Sequence, residues 1–279
     1  MRGRALLILG ALLVAALGWS YAVATATPVV RRAAIPLRDW APGAPALRVV
    51  LISDVHVAGP DMPPARLSRI VEQINALRPD LVLIAGDFIS DKRVATRHYS
   101  MAEAIRPLEK LKTRLGTAAV LGNHDYRSDA PGAIAALRAA GVTLLSNDAR
   151  RFGPLVAGGL DDDFTDHSDL PRAIERLMRL PGPKLLLSHS PDPFPDVPED
   201  IPLTLAGHTH CGQIRVPLIG AVVTASRHGR RYACGLIRED GKTLIVTAGL
   251  GTSGLPFRLG AVPDLWLLTI GPVRPDAAR

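Results

Sequence analysis

Five short apolar runs in this chain each stop on a cluster of Asp, His or Asn. LRVVLIS (47–53) runs into Asp54-Val55-His56, and LVLIA (81–85) into Gly86-Asp87. AAVL (118–121) runs into Gly122-Asn123-His124-Asp125, LLLS (185–188) into His189, and LTLA (203–206) into Gly207-His208-Thr209-His210. Runs this short and this continuously apolar read as strands buried on both faces. In open α/β sheets the crevice beyond the carboxyl ends of the strands is where ligands bind. The pattern therefore predicts a sheet whose one edge collects carboxylate, imidazole and amide side chains.

Helical patterns separate these runs. Leu67, Ile70, Val71, Ile74 and Leu77 recur at the spacing of one helix face. Ile105, Leu108 and Leu111 mark a second helix, Pro131 to Ala140 a third, and Leu170, Ile174 and Leu177 a fourth. Beyond Gly212 the helical period stops, and Arg231 to Ile237, Leu244 to Ala248 and Leu265 to Ile270 read as strands between Gly and Pro turns. Helices alternating with strands, followed by strands alone, predict an α/β sandwich of two packed sheets flanked by helices.

The N-terminus is of another kind. Residues 1–27 read as a transmembrane anchor or signal segment: Arg2 and Arg4 precede an uncharged stretch from Ala5 to Val30, and about 20 apolar residues span a bilayer. An uncleaved anchor is expected, with Trp19 and Tyr21 at an interface. The alternative is a cleaved signal, for which Ala22-Val23-Ala24 and Ala24-Thr25-Ala26 offer small-residue sites. Arg2 and Arg4 favour an exported catalytic domain, whereas Arg31, Arg32 and Arg38 favour the opposite orientation. Residues 28–46, rich in proline, are expected to be a linker, residues 47–271 one catalytic domain, and residues 272–279 a C-terminal tail.

Each polar cluster alone has an ordinary reading as a turn, cap or satisfied histidine. Together they do not. Asp-x-His and His-x-His put two side chains on one side of an extended backbone, within reach of one ion. Carboxylate, imidazole and amide donors suit Mn, Fe, Zn or Co, with Mn first among them, over an all-oxygen Ca or Mg cage. Seven donors exceed one ion's needs, so two ions sharing a carboxylate are expected; such pairs serve phosphatases and nucleases.

The chain carries 33 Lys and Arg against 26 Asp and Glu, a formal charge of +7, which favours an anionic partner. Aromatic residues make up 4%, too few for a base-stacking platform, so nucleic acid is not the expected substrate. A monomer is expected. Cys211 and Cys234 form no paired motif and read as two small buried side chains.

Asp54-x-His56, Gly86-Asp87, Gly122-Asn123-His124-Asp125, His189 and Gly207-His208-x-His210 together resemble, in order and spacing, the calcineurin-like metallophosphoesterase superfamily. The similarity runs from about Leu47 to Ile270. It extends to a bacterial membrane-anchored phosphodiesterase branch through HSPDPF (189–194), GHTHCGQI (207–214) and GLGTSGLPFR (249–258). The resemblance implies a four-layer αββα sandwich of two mixed β-sheets. It implies one metal held by Asp54, His56, Asp87 and His210, and a second held by Asp87, Asn123, His189 and His208, with Asp87 bridging. His124 would face the phosphate and protonate the leaving oxygen, and Asp125 would orient His124. A hydroxide bridging the metals would attack phosphorus in a phosphodiester or pyrophosphate. Relatives in this branch include pyrophosphohydrolases acting on UDP-diacylglucosamine in lipid A biosynthesis, which makes a lipid-linked substrate one candidate by analogy. The alternatives are a phosphomonoesterase, an exported nuclease, and a non-catalytic membrane-anchored scaffold.

Other residues attract attention less securely. Asp161-Asp162-Asp163 reads as a solvated loop, Asp192 as a ligand-orienting residue or part of a rigid Pro turn, and His98 and His228 as surface histidines. Arg258 is a candidate phosphate clamp, since a guanidinium binds phosphate bidentately. Substrate choice is expected to lie in the loops 60–64, 91–99 and 218–230.

Overall fold

A computed structural model describes residues 2–273. The last six residues of the expected C-terminal tail, 274–279, lie outside the described residues, as does Met1. In chain order the elements are α1 (Arg2–Thr25), β1 (Val29–Leu37), β2 (Leu47–Ile52), α2 (Pro64–Ala76), β3 (Leu81–Ala85), α3 (Met101–Ile105), β4 (Thr117–Val120), α4 (Asn123–Ala139), β5 (Val142–Leu144), β6 (Asp148–Phe152) and β7 (Leu155–Leu160). There follow α5 (Leu170–Met178), β8 (Lys184–Ser188), β9 (Leu203–Ala206), β10 (Arg215–Val216), β11 (Gly220–Ala221), β12 (Gly235–Glu239), β13 (Lys242–Val246) and β14 (Asp264–Pro272).

Two six-stranded sheets, ordered β1-β14-β2-β3-β4-β5 and β12-β13-β9-β8-β7-β6, pack face to face. Period-two alternation along the strands decides the layers. Val49 and Leu51 of β2, Leu81 and Leu83 of β3, and Ala118 and Val120 of β4 meet Leu185, Leu187, Leu203 and Leu205 of the second sheet in one core. Their strand neighbours Val50, Ile52, Val82 and Ile84 point the other way, onto Ile70 and Ile74 of α2, Ile105 of α3 and Leu137 of α4. Behind the second sheet, Val156 and Leu186 pack on Ala173 and Leu177 of α5. The result is the expected αββα sandwich of mixed sheets.

Two details differ from the sequence reading. The stretch read as a linker contains β1, which pairs in parallel with β14 from Val29↔Asp264 to Leu37↔Pro272. Its Pro36 is tolerated because β1 is the edge strand, where a missing N–H breaks little of the ladder. β5, β6 and β7 were not foreseen: β6 (DARRF) is a polar edge strand, and β7 (LVAGGL) carries two glycines. Gly159 needs its lack of a side chain, because a Cβ there would lie 2.5 Å from the Leu145 carbonyl oxygen.

α1 is one continuous helix, apolar over Gly3–Thr25 and long enough to cross a membrane. Its large side chains Leu6 to Trp19 are exposed, and its C-terminal end meets the sandwich: Arg258 N–H donates to Ser20 O at 3.0 Å, and Tyr21 Oη to Pro60 O at 3.3 Å.

Candidate metal centre

β2, β3 and β4 run parallel, as do β7, β8 and β9, so the carboxyl ends of both sets open on one edge of the sandwich. Immediately past those ends the backbone turns sharply. Asp54, His56, Asp87, His208 and His210 all have positive φ, between 48° and 67°. Left-handed backbone is uncommon outside glycine, and five of the seven expected donors adopt it. The surroundings hold them there. Asp54 N–H donates to Gly86 O and His56 N–H to Asp87 O, both at 3.0 Å. His208 N–H donates to the Asp54 carboxylate at 2.9 Å. Gly249 presses on Asp54 so closely that a Cβ on it would lie 2.5 Å from Asp54 Cβ.

The seven donors fall into two groups. In one, His56 Nε2 is 3.0 Å from His210 Nε2, and His210 Nε2 is 3.4 Å from Asp54 Oδ1. In the other, His189 Nε2 is 3.0 Å from His208 Nδ1 and 3.1 Å from Asn123 Oδ1. The Asp87 Oδ2 atom belongs to both, 3.4 Å from His56 Nε2 and 3.3 Å from His189 Nε2. Donor atoms about 2.1 Å from a shared cation stand roughly 3.0–3.4 Å apart, according to coordination number. These nitrogens and oxygens therefore have the spacing of ligands to common centres. Asp87 Oδ1 is held separately by the His124 N–H at 2.9 Å.

Burial makes the case for cations stronger. Asp54, Asp87, His56, His189, His208 and His210 are all buried. Burial pushes Asp54 up to about 6, against the opposing charge of His189. Burial alone would raise Asp87 too, but the His189 charge and hydrogen bond hold it well below the usual carboxylate range. Burial likewise depresses His189, yet the carboxylates of Asp87, Asp54 and Asp162 more than offset this and raise it to about 10. Burial lowers His208 to about 3 and holds His56 and His210 well below the ordinary imidazole value. Three neutral imidazoles beside buried carboxylates are good ligands and poor proton acceptors. The donor set fits two divalent ions. His189 Nδ1 donates to Ala85 O at 2.7 Å, which leaves Nε2 as its ligand atom.

Several residues around the donors are placed differently from expectation. Asp125 does not touch the His124 ring. Its carboxylate accepts from the N–H groups of Asp87 and Gly122, both at 2.9 Å, and Phe88 at 2.8 Å, stitching the ends of β3 and β4. Asp91 takes the orienting role, its Oδ1 lying 2.6 Å from His124 Nδ1. Asp161 and Asp162 are buried, not solvated: Asp161 accepts from Tyr126 Oη at 2.7 Å, and Asp162 Oδ2 caps Thr165 while its Oδ1 is buried without a hydrogen-bond partner. Arg258 is fully buried and donates to the carbonyls of Ala248, Gly249, Gly251 and Ala261. A guanidinium so engaged is not a phosphate clamp; it braces the glycine-rich segment behind His210, whose Nδ1 is 3.3 Å away.

Asp192 accepts from Ser226 Oγ at 2.5 Å and Arg227 N–H at 2.9 Å, fixing that loop instead of a ligand. His98 is exposed as expected, while His228 is half-buried against Tyr232. Cys211 and Cys234 form a disulfide across a separation of 23 residues. The turn after His210 brings their Cα atoms to 4.6 Å, within bridging range, a proximity that their positions in the chain do not reveal. Beneath the site Lys92 Nζ donates to Asp61 at 2.5 Å and Thr252 at 3.1 Å, all three buried.

A cleft of about 580 Å³ opens over the donors. Asp87, Asn123, His124, His208 and His210 form its floor, and Ile214, Val222, Val223 and Phe164 contribute an apolar wall. Phe164 sits 5.0 Å from the His208 ring, and the Arg127 guanidinium lies 5.4 Å from the Phe164 ring centroid.

Residues 47–212 match the family model described as calcineurin-like phosphoesterase. The chain is 33% identical over 257 residues to a transmembrane protein with metallophosphoesterase domain from Danio rerio, covering 85% of this chain and 56% of that protein. It is 30% identical to an uncharacterized metallophosphoesterase of Helicobacter pylori J99, covering 81% and 60%. It is 29% identical to the uncharacterized metallophosphoesterase YkuE of Bacillus subtilis 168, covering 80% and 78%. The chain thus spans little more than half the length of the first two of these relatives.

Proposed function

The chain belongs to the calcineurin-like phosphoesterase family, and on that premise we propose that it hydrolyses a phosphodiester or pyrophosphate bond with two divalent metal ions, manganese foremost, held by Asp54, His56, Asp87, Asn123, His189, His208 and His210. The observation that carries the proposal is the single Asp87 oxygen shared between the two donor groups. When bound, such a pair supplies Lewis acidity and lowers the pKa of the attacking water.

The chain's own residues supply the rest. His124 lines the cleft, edge-on to His56 with ring centroids 4.8 Å apart. With Nδ1 committed to Asp91, Nε2 is the nitrogen that delivers a proton to the leaving oxygen. Asp125 fixes the loop that presents Asp87.

The substrate we favour is lipid-linked and anionic, of the UDP-diacylglucosamine type. An apolar wall beside the donors, a formal charge of +7 and an apolar α1 support that reading. α1 is an uncleaved anchor on this proposal, and the catalytic domain lies on the exported side. The Cys211–Cys234 disulfide supports that side, because such bonds persist in oxidising compartments. The test is hydrolysis of bis-p-nitrophenyl phosphate, p-nitrophenyl phosphate, single-stranded DNA and a UDP-linked diacyl sugar with added manganese. The proposal expects turnover of the first and last, abolished by EDTA. Turnover that persists after complete metal removal contradicts it.

A further inference from the structure

Four large hydrophobic side chains stand in water within six residues at the lip of the cleft. Leu218, Ile219, Val222 and Val223 have relative exposures of 108%, 57%, 59% and 70%. Single exposed apolar residues are ordinary on a protein surface, whereas a contiguous group marks a contact surface. These four belong to or adjoin the β10–β11 hairpin, where Arg215 pairs with Ala221 and Val216 with Gly220.

The hairpin is tied to the same segment that receives α1. Arg215 N–H donates to Leu259 O at 2.7 Å, and Gln213 Nε2 donates to Ser253 O at 2.9 Å and Leu255 O at 3.1 Å. One residue from Leu259, Arg258 N–H holds Ser20 at the end of α1. Leu255, itself 54% exposed, lies in this segment. A helix fit to cross a bilayer and an exposed apolar hairpin therefore hang from one short stretch, 253–259. Arg230, whose Nε donates to Ala221 O at 3.1 Å, adds a cation on the hairpin's flank, as suits anionic headgroups.

We propose that the β10–β11 hairpin dips into the interface of the bilayer that α1 spans, so that the metal cleft opens at the membrane surface. Val222 and Val223 continue from the hairpin into the wall of the cleft. A phosphate ester with an acyl tail then reaches the donors by sliding its head in while the tail stays in lipid. A membrane-resident amphiphile is the substrate class this geometry selects. The inference rests on α1 being a membrane anchor, and the test separates the two.

The full chain is reconstituted in phosphatidylcholine–phosphatidylglycerol nanodiscs, carrying one environment-sensitive fluorophore on an introduced cysteine. The native cysteines are disulfide-bonded and do not compete for label. Three positions are compared: Ile219→Cys on the hairpin, Ile8→Cys in α1, and Arg176→Cys on the exposed side of α5. Spin-labelled lipid is expected to quench the labels at 8 and 219 and to spare 176. Quenching at 8 with none at 219 overturns the hairpin contact and leaves the anchor standing. A label at 219 that is shielded from water yet unquenched points to a protein partner or a second copy, and also overturns it. No quenching at 8 overturns both. Hydrolysis of bis-p-nitrophenyl phosphate by the unlabelled parent protein is measured alongside. Failure of the parent protein to hydrolyse that ester counts against the phosphoesterase reading alone.

Discussion

Asp91 Oδ1 sits 2.6 Å from His124 Nδ1, so the ring facing the cleft is held by a residue 33 positions away and not by its neighbour Asp125. Removing an outer partner of this kind typically costs about 10–100-fold. Asp91→Ala is therefore expected to lower kcat by about that factor without lowering metal content. His124→Ala should lose roughly 10²–10⁴-fold, and adding Asp91→Ala to it should cost little more. Steady-state kinetics of the two single variants and the double variant check this. Additive losses contradict the assignment of Asp91 as the residue that positions His124.

Asp125 has a structural task that its neighbour does not share. Asp125→Ala leaves the N–H groups of Asp87, Phe88 and Gly122 without their acceptor in a buried setting. Each orphaned donor costs about 1–3 kcal/mol. The expected loss of folding stability is at least about 3 kcal/mol, read by urea denaturation of the metal-free protein. Unchanged stability would show that the β3 and β4 loops are held some other way.

Metal binding should be steeply pH-dependent. Ligands must be deprotonated to bind, so protons on the free site compete with the ion. His189 is raised to about 10 by its carboxylate neighbours and carries a proton throughout the neutral range. Asp54, raised to about 6 by burial, carries another only in acid. Affinity of the His189-containing site should thus rise about tenfold per pH unit between 7 and 9, as that one proton is displaced. Below pH 6 the slope should steepen. Competition against a chelator, with proton release measured by calorimetry in buffers of different ionisation enthalpy, tests this. An affinity flat between pH 7 and 9 contradicts the sign.

The Cys211–Cys234 bridge adjoins a metal ligand. A closed loop of this length stabilises by about 3 kcal/mol, chiefly through the unfolded chain. Cys234→Ser should lower stability by about that amount and weaken the His210 side of the site first. Elemental analysis after dialysis checks whether one ion is lost before the other. Equal retention of metal with and without the bridge argues against any support of His210.

What the sequence disclosed, and what it withheld, follows from range of interaction. The buried strands were legible because continuous apolar runs have few other homes, and the donors because they stop those runs. The helices of the first layer were legible from spacing, as with Leu67 to Leu77. β1 was concealed by Pro36, and β6 by the polar pattern of an edge. Asp91, Asp162 and the disulfide depend on which loops meet in space, which neither period nor composition encodes. Arg258 shows the converse: its guanidinium has the chemistry of a phosphate clamp, yet it is buried among four carbonyls. The left-handed backbone at Asp54, His56, Asp87, His208 and His210 had no sequence signal beyond the tolerance of Asp and His for that region.

The central claim is that Asp87 joins two cations, and metal stoichiometry by equilibrium dialysis and elemental analysis tests it most directly. The account predicts two divalent ions per chain in the parent protein and no more than one in Asp87→Ala, with hydrolysis of bis-p-nitrophenyl phosphate abolished in the variant. Two tightly bound ions and undiminished turnover in Asp87→Ala would contradict it.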